Sequence, residues 1–434
     1  MMTLARPAGH LGWPSRLLPV LAFVCMLACG KGGGSDAVSR ESGTEPQAAT
    51  PAANTEQDAL DSLVITLEGQ RFEDAAAEAQ RFIEQYPASP KLGQVLYIRG
   101  RALVSAGKPE EGIAVLRDML AKYPKDDNVP FAAFYVAQGE YLKAYGPLTL
   151  YKIEFEQAVP LFEKALEVFR GVAKTYAADA QVATRARLMA AQTLFDLRRR
   201  EEALAGFREY LEKEPQGQYA GQALFQTGTI LAELERNGEA KETYARLIRE
   251  FPGSSEAATS VDRLAELNLI GQPMPAIEVA RWVNQKVLAD QWKGKVLVVT
   301  FWNTWCSHCQ HDMPKIESVY RKIHSSELVM LGITDNTKGQ NDVTVNAFVQ
   351  EKQLTFPIGI DNHGATTGRY AVSRIPGTAI VDHKGIIRWR NSGALLDEAL
   401  IRRFLKGRSG AAAAPPARVE SPGAGRIAKG GDVS

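Results

Sequence analysis

Two cysteines three residues apart, Cys306 and Cys309, follow an apolar run from Val296 to Trp302 and lead into a stretch with helical patterning. Such a corner between strand and helix is where a thiol becomes a reagent. A thiolate at a helix N-terminus faces unpaired backbone N–H groups and the positive end of the macrodipole, which lower its pKa from about 8.5 toward 7 or below. Cys306 is therefore the expected nucleophile. Cys309 lies one turn along the same face, within reach to close a disulfide or to resolve a mixed disulfide formed at Cys306. His308 stands between them, and as an imidazolium it would stabilise the thiolate, favour the reduced pair and make the disulfide more oxidising. The reaction would exchange two electrons between thiols and needs no dissociable cofactor. A metal reading has Cys306, His308, Cys309 and His311 close together. Four ligands from one contiguous turn do not readily surround a tetrahedral ion, and no second C-x-x-C completes a site, so no metal is expected.

The chain has only two other cysteines, Cys25 and Cys29, and both fall in a targeting segment. Arg6 and Arg16 precede a twelve-residue apolar stretch, Leu17 to Ala28, the length of a signal-peptide core and shorter than the roughly 20 residues a spanning helix needs. Residues 1–28 are read as an export signal. Met26-Leu27-Ala28-Cys29 followed by Gly30 resembles the lipobox of bacterial lipoproteins, which implies lipidation at Cys29. Cleavage by an ordinary signal peptidase near Ala28 is the alternative. Gly30 is not the Asp that commonly retains lipoproteins at the inner membrane, so the resemblance points to the periplasmic face of the cell envelope, at the outer membrane. On this reading the mature chain keeps one acylated cysteine and one lone dithiol, and a structural disulfide framework is excluded.

The composition, 45% hydrophobic and 23% charged with a formal net charge of +1, fits a globular chain. Acids and bases nearly balance along it, so no nucleic-acid partner is implied. Past the signal no run of about 18 apolar residues occurs, which leaves the lipid as the only expected membrane attachment. Its 434 residues suggest two or three domains. Residues 29–56 are rich in Gly, Ser, Ala, Thr and Pro without hydrophobic periodicity. They are read as a flexible tether spanning roughly 25–30 Å, and residues 409–434 as a disordered tail.

Residues 57–269 show helical periodicity with internal repetition. Tyr86-Pro87, Tyr123-Pro124, Glu214-Pro215 and Phe251-Pro252 each close an apolar-periodic segment, and the first two and the last two are 37 residues apart. Gly100 and Gly228 each precede the closing Pro by 24 residues, and Ala158/Phe162, Ala203/Phe207 and Ala240/Tyr244 set a small residue four before an aromatic. A small side chain lets antiparallel helices approach, the aromatic fills the groove one turn on, and Pro stops the second helix. These residues resemble tetratricopeptide repeats, in four or five helix pairs, which implies a concave scaffold for a protein partner. An insertion is expected around Gly146-Pro147-Leu148-Thr149-Leu150, where the period breaks.

Residues 270–408 change style. Short β-branched runs at Val296–Thr300, Leu328–Ile333, Thr378–Val381 and Ile386–Trp389 alternate with helical stretches Ser307–Ile323, Asn341–Lys352 and Asp397–Phe404, an α/β layout around a mixed sheet. The run from Lys295 to Cys309 followed by Asp312-Met313-Pro314 resembles the TlpA-like branch of the thioredoxin fold. So do Gly271-Gln272-Pro273-Met274-Pro275, the segment Thr355 to Asp361 expected to precede a strand, Arg374-Ile375-Pro376-Gly377-Thr378, and Val381-Asp382-His383-Lys384-Gly385. The fold class is thus an all-α helical-repeat solenoid followed by an α/β thioredoxin-like domain. By this resemblance Pro376 is the cis-proline beside the thiol pair, and Ile375 before it pairs with an extended substrate segment. Pro314 matches the kink proline of the active-site helix. Thr300 stands where many thioredoxins carry a buried Asp that accepts the second thiol's proton. Asp312 is expected to face solvent as a first-turn carboxylate, while Trp305 and Trp302 shield the pair. The Pro-x-x-x-Thr-x-x-Cys arrangement of a peroxiredoxin is absent before Cys306.

Two functions compete. One is an exported, lipid-anchored thiol–disulfide oxidoreductase acting through an accessible Cys306/Cys309 pair on a protein thiol or disulfide substrate, with the repeats recruiting a protein partner. TlpA-like proteins often act as reductases supplied by a membrane electron donor, for instance in cytochrome c maturation, whereas His308 argues for oxidation or isomerisation; reductase is favoured. The other is an envelope scaffold whose thioredoxin-like unit is a binding or redox-sensing module.

Overall fold

The computed structural model describes residues 55–323 and 325–406. The signal segment, Cys29, nearly all of the tether and the tail lie outside them. Two compact units divide between Leu264 and Ala265.

The first unit is helical: α1 (Glu56–Glu68), α2 (Phe72–Gln85), α3 (Leu92–Ser105), α4 (Pro109–Lys122), α5 (Val129–Thr149), α6 (Phe155–Thr175), α7 (Ala180–Asp196), α8 (Arg200–Lys213), α9 (Ala220–Glu233), α10 (Asn237–Glu250) and α11 (Ser255–Asn268), whose last turn falls in the second unit. From α1 to α10 each helix packs on the next, and alternate helices α1, α3, α5 and α7 also touch in succession, so these ten helices stack in series as five pairs. The Pro signals terminate helices as expected. Tyr86, Tyr123, Glu214 and Phe251 cap α2, α4, α8 and α10 with ψ between 52° and 64°, out of the helical region because a following Pro ring disfavours it. Ala158, Phe162, Ala203, Phe207, Ala240 and Tyr244 are all buried. Gly228 is small for a reason: a Cβ there would sit 2.7 Å from the Tyr244 ring.

The insertion expected around Gly146 to Leu150 is built as helix. Gly146 to Thr149 continue α5, with Pro147 inside the helix, and α5 and α6 run to 21 residues each where the flanking helices α3, α4, α7 and α8 have 14 to 17. The 37-residue period breaks because the middle pair is longer. Among the described residues no helix is long and apolar enough to cross a membrane.

The second unit is a six-stranded sheet with helices on it: β1 (Val279–Trp282), α12 (Ala289–Trp292), β2 (Val296–Phe301), α13 (Ser307–Ile323), β3 (Leu328–Thr334), α14 (Asp342–Glu351), β4 (Ile358–Asp361), α15 (Ala365–Arg369), β5 (Gly377–Val381), β6 (Ile387–Ser392), a 3₁₀ turn (Gly393–Leu395) and α16 (Glu398–Lys406). The strand order is β1-β4-β3-β2-β5-β6, with β2, β3 and β4 mutually parallel and the others antiparallel to their neighbours. Segment Thr355 to Asp361 contains strand β4 and does not precede one, since its run Ile358–Asp361 is itself fully buried beside β3. Strand β2 is buried on both faces. Val296 and Val298 join the core beneath α13 and α16, while Leu297, Val299 and Phe301 join the opposite core with Leu331, Tyr370 and Ile387, the period-2 alternation of a central strand.

The repeat unit holds one titratable group with a consequence for stability. Asp196, at the end of α7, accepts from Tyr141 Oη at 2.9 Å and Gln192 Nε2 at 3.2 Å, yet burial raises its pKa to about 7 against the lowering effect of these bonds and of Arg200. Unfolded, it titrates near 3.9. Between the two values the folded chain holds the extra proton, so stability falls as pH rises from about 4 to 7 and the full cost stands above pH 7. Asp196→Asn, neutral throughout, is expected to stabilise the repeat unit at pH 8 by the order of a few kcal/mol and to change little at pH 4. Urea unfolding followed by circular dichroism at both pH values checks this; equal destabilisation at both would contradict it.

Candidate active site

The loop after β2 is fixed before either cysteine is reached. The Trp302 backbone N–H donates to Ile333 O at 3.0 Å, and the buried indole packs against Phe348 with the rings tilted and centroids 4.9 Å apart. Asn303 is 5% exposed, and its Oδ1 accepts from Thr334 Oγ1 at 2.7 Å, Asp335 N at 3.2 Å and Gln340 Nε2 at 3.2 Å. Gln340 Oε1 in turn accepts from Thr304 N at 2.6 Å. Two buried amide side chains thus clamp the loop to the end of β3.

Cys306 is the N-cap of α13. Its carbonyl accepts from Gln310 N at 3.0 Å and its Sγ accepts from Cys309 N at 3.2 Å. Sulfur takes the place that an N-cap oxygen usually fills. The Cys306 thiol also donates to Ile375 O at 3.6 Å, and the Ile375–Pro376 bond is cis. Cys309 Sγ lies 2.6 Å from Cys306 Sγ, about 0.6 Å beyond bonding distance. The two sulfurs differ sharply in surroundings. Cys309 is fully buried, and burial pushes its thiol far up, reinforced by the hydrogen bond with Cys306, its charge and that of Asp312, and opposed by the Asn303 backbone.

Three expectations need correction. Cys306 is only 7% exposed, so the dithiol is recessed; the turn that makes it a cap also packs it with Trp302, Met313 and Ile375 in the α13 core. Asp312 is 8% exposed rather than solvent-facing, because three residues past Cys309 it shares the buried face of α13 with Met313 and Ile316. It bonds His311 Nδ1 at 2.9 Å, and His311 Nε2 lies 3.3 Å from Lys315 Nζ. Trp305 does not close over the pair: it is 39% exposed, with Lys338 Nζ 4.1 Å above its ring.

His308 occupies the first turn of α13, partly buried. Thr300, in the acid's place, pairs with Thr378 Oγ1 across the sheet at 2.9 Å, both buried. Pro314 lies within α13, exposed. Among the described residues no group of three or more His, Cys, Asp or Glu is arranged to hold a metal. Asn303, Gln340 and Lys338 were missed. Asn303 was visible beside the cysteines, but its partners are 31 to 37 residues away and no local signal joins them.

The asymmetry of the sulfurs is directly testable. In the reduced native chain at pH 8, iodoacetamide is expected to label Cys306 while Cys309, held neutral by its raised pKa, stays unlabelled until the protein is denatured. Peptide mass spectrometry after timed quenching reads this, and equal native labelling of both sulfurs would refute it.

The AhpC/TSA family model matches residues 270–390, and a tetratricopeptide repeat model matches residues 66–127 and 188–255. Thioredoxin-like protein YneN of Bacillus subtilis is 32% identical over 134 residues, 31% of this chain and 78% of the relative. Sporulation thiol-disulfide oxidoreductase A of the same organism is 26% identical over 155 residues, 36% of this chain and 87% of the relative. Thiol-disulfide oxidoreductase ResA of Bacillus cereus is 28% identical over 137 residues, 32% and 77% respectively. A solved thiol-disulfide isomerase from Corynebacterium glutamicum covers 32% of this chain and 97% of its own at 24% identity, with a TM-score of 0.29. The chain belongs with the thioredoxin-like proteins, as a thiol-disulfide oxidoreductase whose AhpC/TSA-type domain at residues 270–390 is preceded by tetratricopeptide repeats.

Proposed function

We propose that the chain is an exported, lipid-anchored oxidoreductase that reduces protein disulfides through Cys306 and Cys309, with the repeats recruiting a protein partner or substrate. The observation that carries this is the capped sulfur: Cys306 Sγ receives the Cys309 N–H at 3.2 Å while Cys309 Sγ waits 2.6 Å away. In the reductive direction the Cys306 thiolate attacks one sulfur of the substrate disulfide, and the other sulfur leaves as a thiolate. A mixed disulfide results. Cys309 then gives its proton to the departing substrate thiolate and attacks Cys306 Sγ, which forms the Cys306–Cys309 disulfide and frees the second substrate sulfur. Two electrons have passed to the substrate, and a dithiol donor, by this reading a membrane protein, must return them. Only sulfur chemistry is used, so no dissociable cofactor enters.

The Ile375 backbone beside the cis bond supplies an edge for an extended substrate segment. His308 and Trp305 border the mouth and tune it. Anchoring through Cys29 would place the units at the periplasmic face of the envelope, at the outer membrane.

Two experiments bear on this. Insulin reduction with dithiothreitol as donor is expected to show turnover by the wild type and uncatalysed background with Cys306→Ser; a wild type no faster than Cys306→Ser leaves the scaffold reading. Labelled palmitate is expected to enter the chain when it is expressed in a bacterium and to be lost in Cys29→Ser; an unlabelled wild type would remove the anchor.

A further inference from the structure

The loop that faces Cys306 is held by a buried charge cluster that the chemistry above does not use. Glu266 is 2% exposed and lies in the last turn of α11, in the second unit. Its Oε1 accepts from Ser373 Oγ at 2.7 Å and from Ser373 N at 3.2 Å. Arg374 Nε stands 3.7 Å from Oε2, and Arg390 Nη2 stands 3.6 Å from Oε1. Both guanidinium groups are tied in turn: Arg374 Nη2 donates to Asn391 Oδ1 at 2.8 Å and Arg390 Nη1 to Thr378 O at 3.4 Å. Arg390 is wholly buried, and burial lowers its pKa against the opposing charge of Glu266.

These contacts fall on Ser373 and Arg374, the two residues directly before Ile375. Gly393 N–H holds the far side through Pro376 O at 2.8 Å. Gly377 has no room for a side chain, since a Cβ would lie 2.7 Å from Arg374 O and 3.0 Å from Arg390 Nη1. The loop is thus held by the carboxylate at Ser373 and packed closely on the Arg390 guanidinium at Gly377. A buried ion cluster is weak evidence for stability, because desolvation offsets most of the attraction, and apolar replacements are often as stable. Its partners here are the residues that set the path of the loop.

We propose that Glu266 is a positioning residue for substrate binding: through Ser373 and Arg374 it fixes the Ile375 backbone in the setting that lets an extended peptide segment carrying a disulfide lie alongside it with a sulfur at Cys306. This rests on the thiol–disulfide reading above. A polypeptide substrate needs the loop, whereas a small disulfide needs only the sulfur.

The test compares two substrates on the full chain. Glu266→Gln keeps an acceptor for Ser373 and removes the charge between Arg374 and Arg390. For a disulfide-bonded extended peptide, KM is expected to rise about tenfold with kcat nearly unchanged, the loss expected when the ion pairs to Arg374 and Arg390 go and the bond from Ser373 ends on a neutral acceptor. The rate with 5,5′-dithiobis(2-nitrobenzoate) should stay within about twofold of wild type, and Glu266→Asp should recover part of the peptide KM. Ser373→Ala, a change at the surface of the loop, should raise the peptide KM in the same direction by less, and it decides the matter if circular dichroism shows Glu266→Gln unfolded. Equal slowing on both substrates, or an unaltered peptide KM in both variants, overturns the inference. A wild type inert toward both substrates instead sinks the oxidoreductase reading on which it stands.

Discussion

One hydrogen bond organises the redox end of this protein: the Cys309 N–H that points at Cys306 Sγ from 3.2 Å. A helix begins with donors that no residue of its own can satisfy, and in most helices an oxygen side chain answers them for about 1 kcal/mol. Here the cap is a sulfur, and an acceptor that gains charge gains strength in such a bond. Capping α13 and holding an ionised sulfur are therefore one interaction. The second sulfur, a turn later, meets the opposite conditions. Fully buried and pushed far up by burial, Cys309 is held protonated, and in the proposed reaction it keeps that proton until a leaving group takes it. In the proposed reaction the order of attack follows from that difference, since Thr300, standing where a buried Asp would serve, has its hydroxyl engaged with Thr378.

The sheet brings the remaining parts to this bond. Strands β2 and β5 are antiparallel with Phe301 opposite Gly377, so the chain leaving β2 toward Cys306 and the chain entering β5 from Ile375 cross the same edge. That register makes residues 69 apart in sequence neighbours at 3.6 Å. A slip of one residue would turn the alternating faces of β2 inside out, and both cores depend on them. Asn303 and Gln340 then hold the β2 exit against β3, which leaves the sulfur little freedom except along its own χ1.

How much of this could be read from the sequence depends on how local the cause was. Helix α13 was placed at Ser307–Ile323, where the structure has it, because an apolar period and a strand before it are local patterns. The repeat boundaries were legible too, since a Pro acts on the residue immediately before it. The short strands β1 and β4 were not assigned: four residues carry too little period, and each is defined by its partner across the sheet. The break in the period around Pro147 was legible, but not the form it takes, which is a lengthened helix pair. A Pro usually breaks a helix, but here it lies close to the end of α5, where Thr149 Oγ1 bonds the carbonyls of Tyr145 and Gly146 and takes up acceptors near the end of the helix. Gln340 and Glu266 were invisible as site residues because their roles exist only after the fold has closed.

The recess of Cys306 bears on the tension between His308 and the reductase reading. A redox couple is poised by the free-energy difference between its dithiol and its disulfide, and the dithiol can be favoured by any group that stabilises one negative sulfur. Burial of Cys309 sets a limit on that gain. With the inner thiol kept neutral, the reduced pair carries at most one charge near neutral pH, and the helix N-terminus already answers it. An imidazolium at His308 adds to an interaction that is partly satisfied, so its increment is smaller than the full strength of an isolated ion pair. At 30 mV for each 1.4 kcal/mol, a residual fraction of a kcal/mol moves the couple by only some tens of millivolts. On the proposed reading access weighs more: a sulfur 7% exposed, with the Ile375 carbonyl against it, favours a partner that can lie along that backbone.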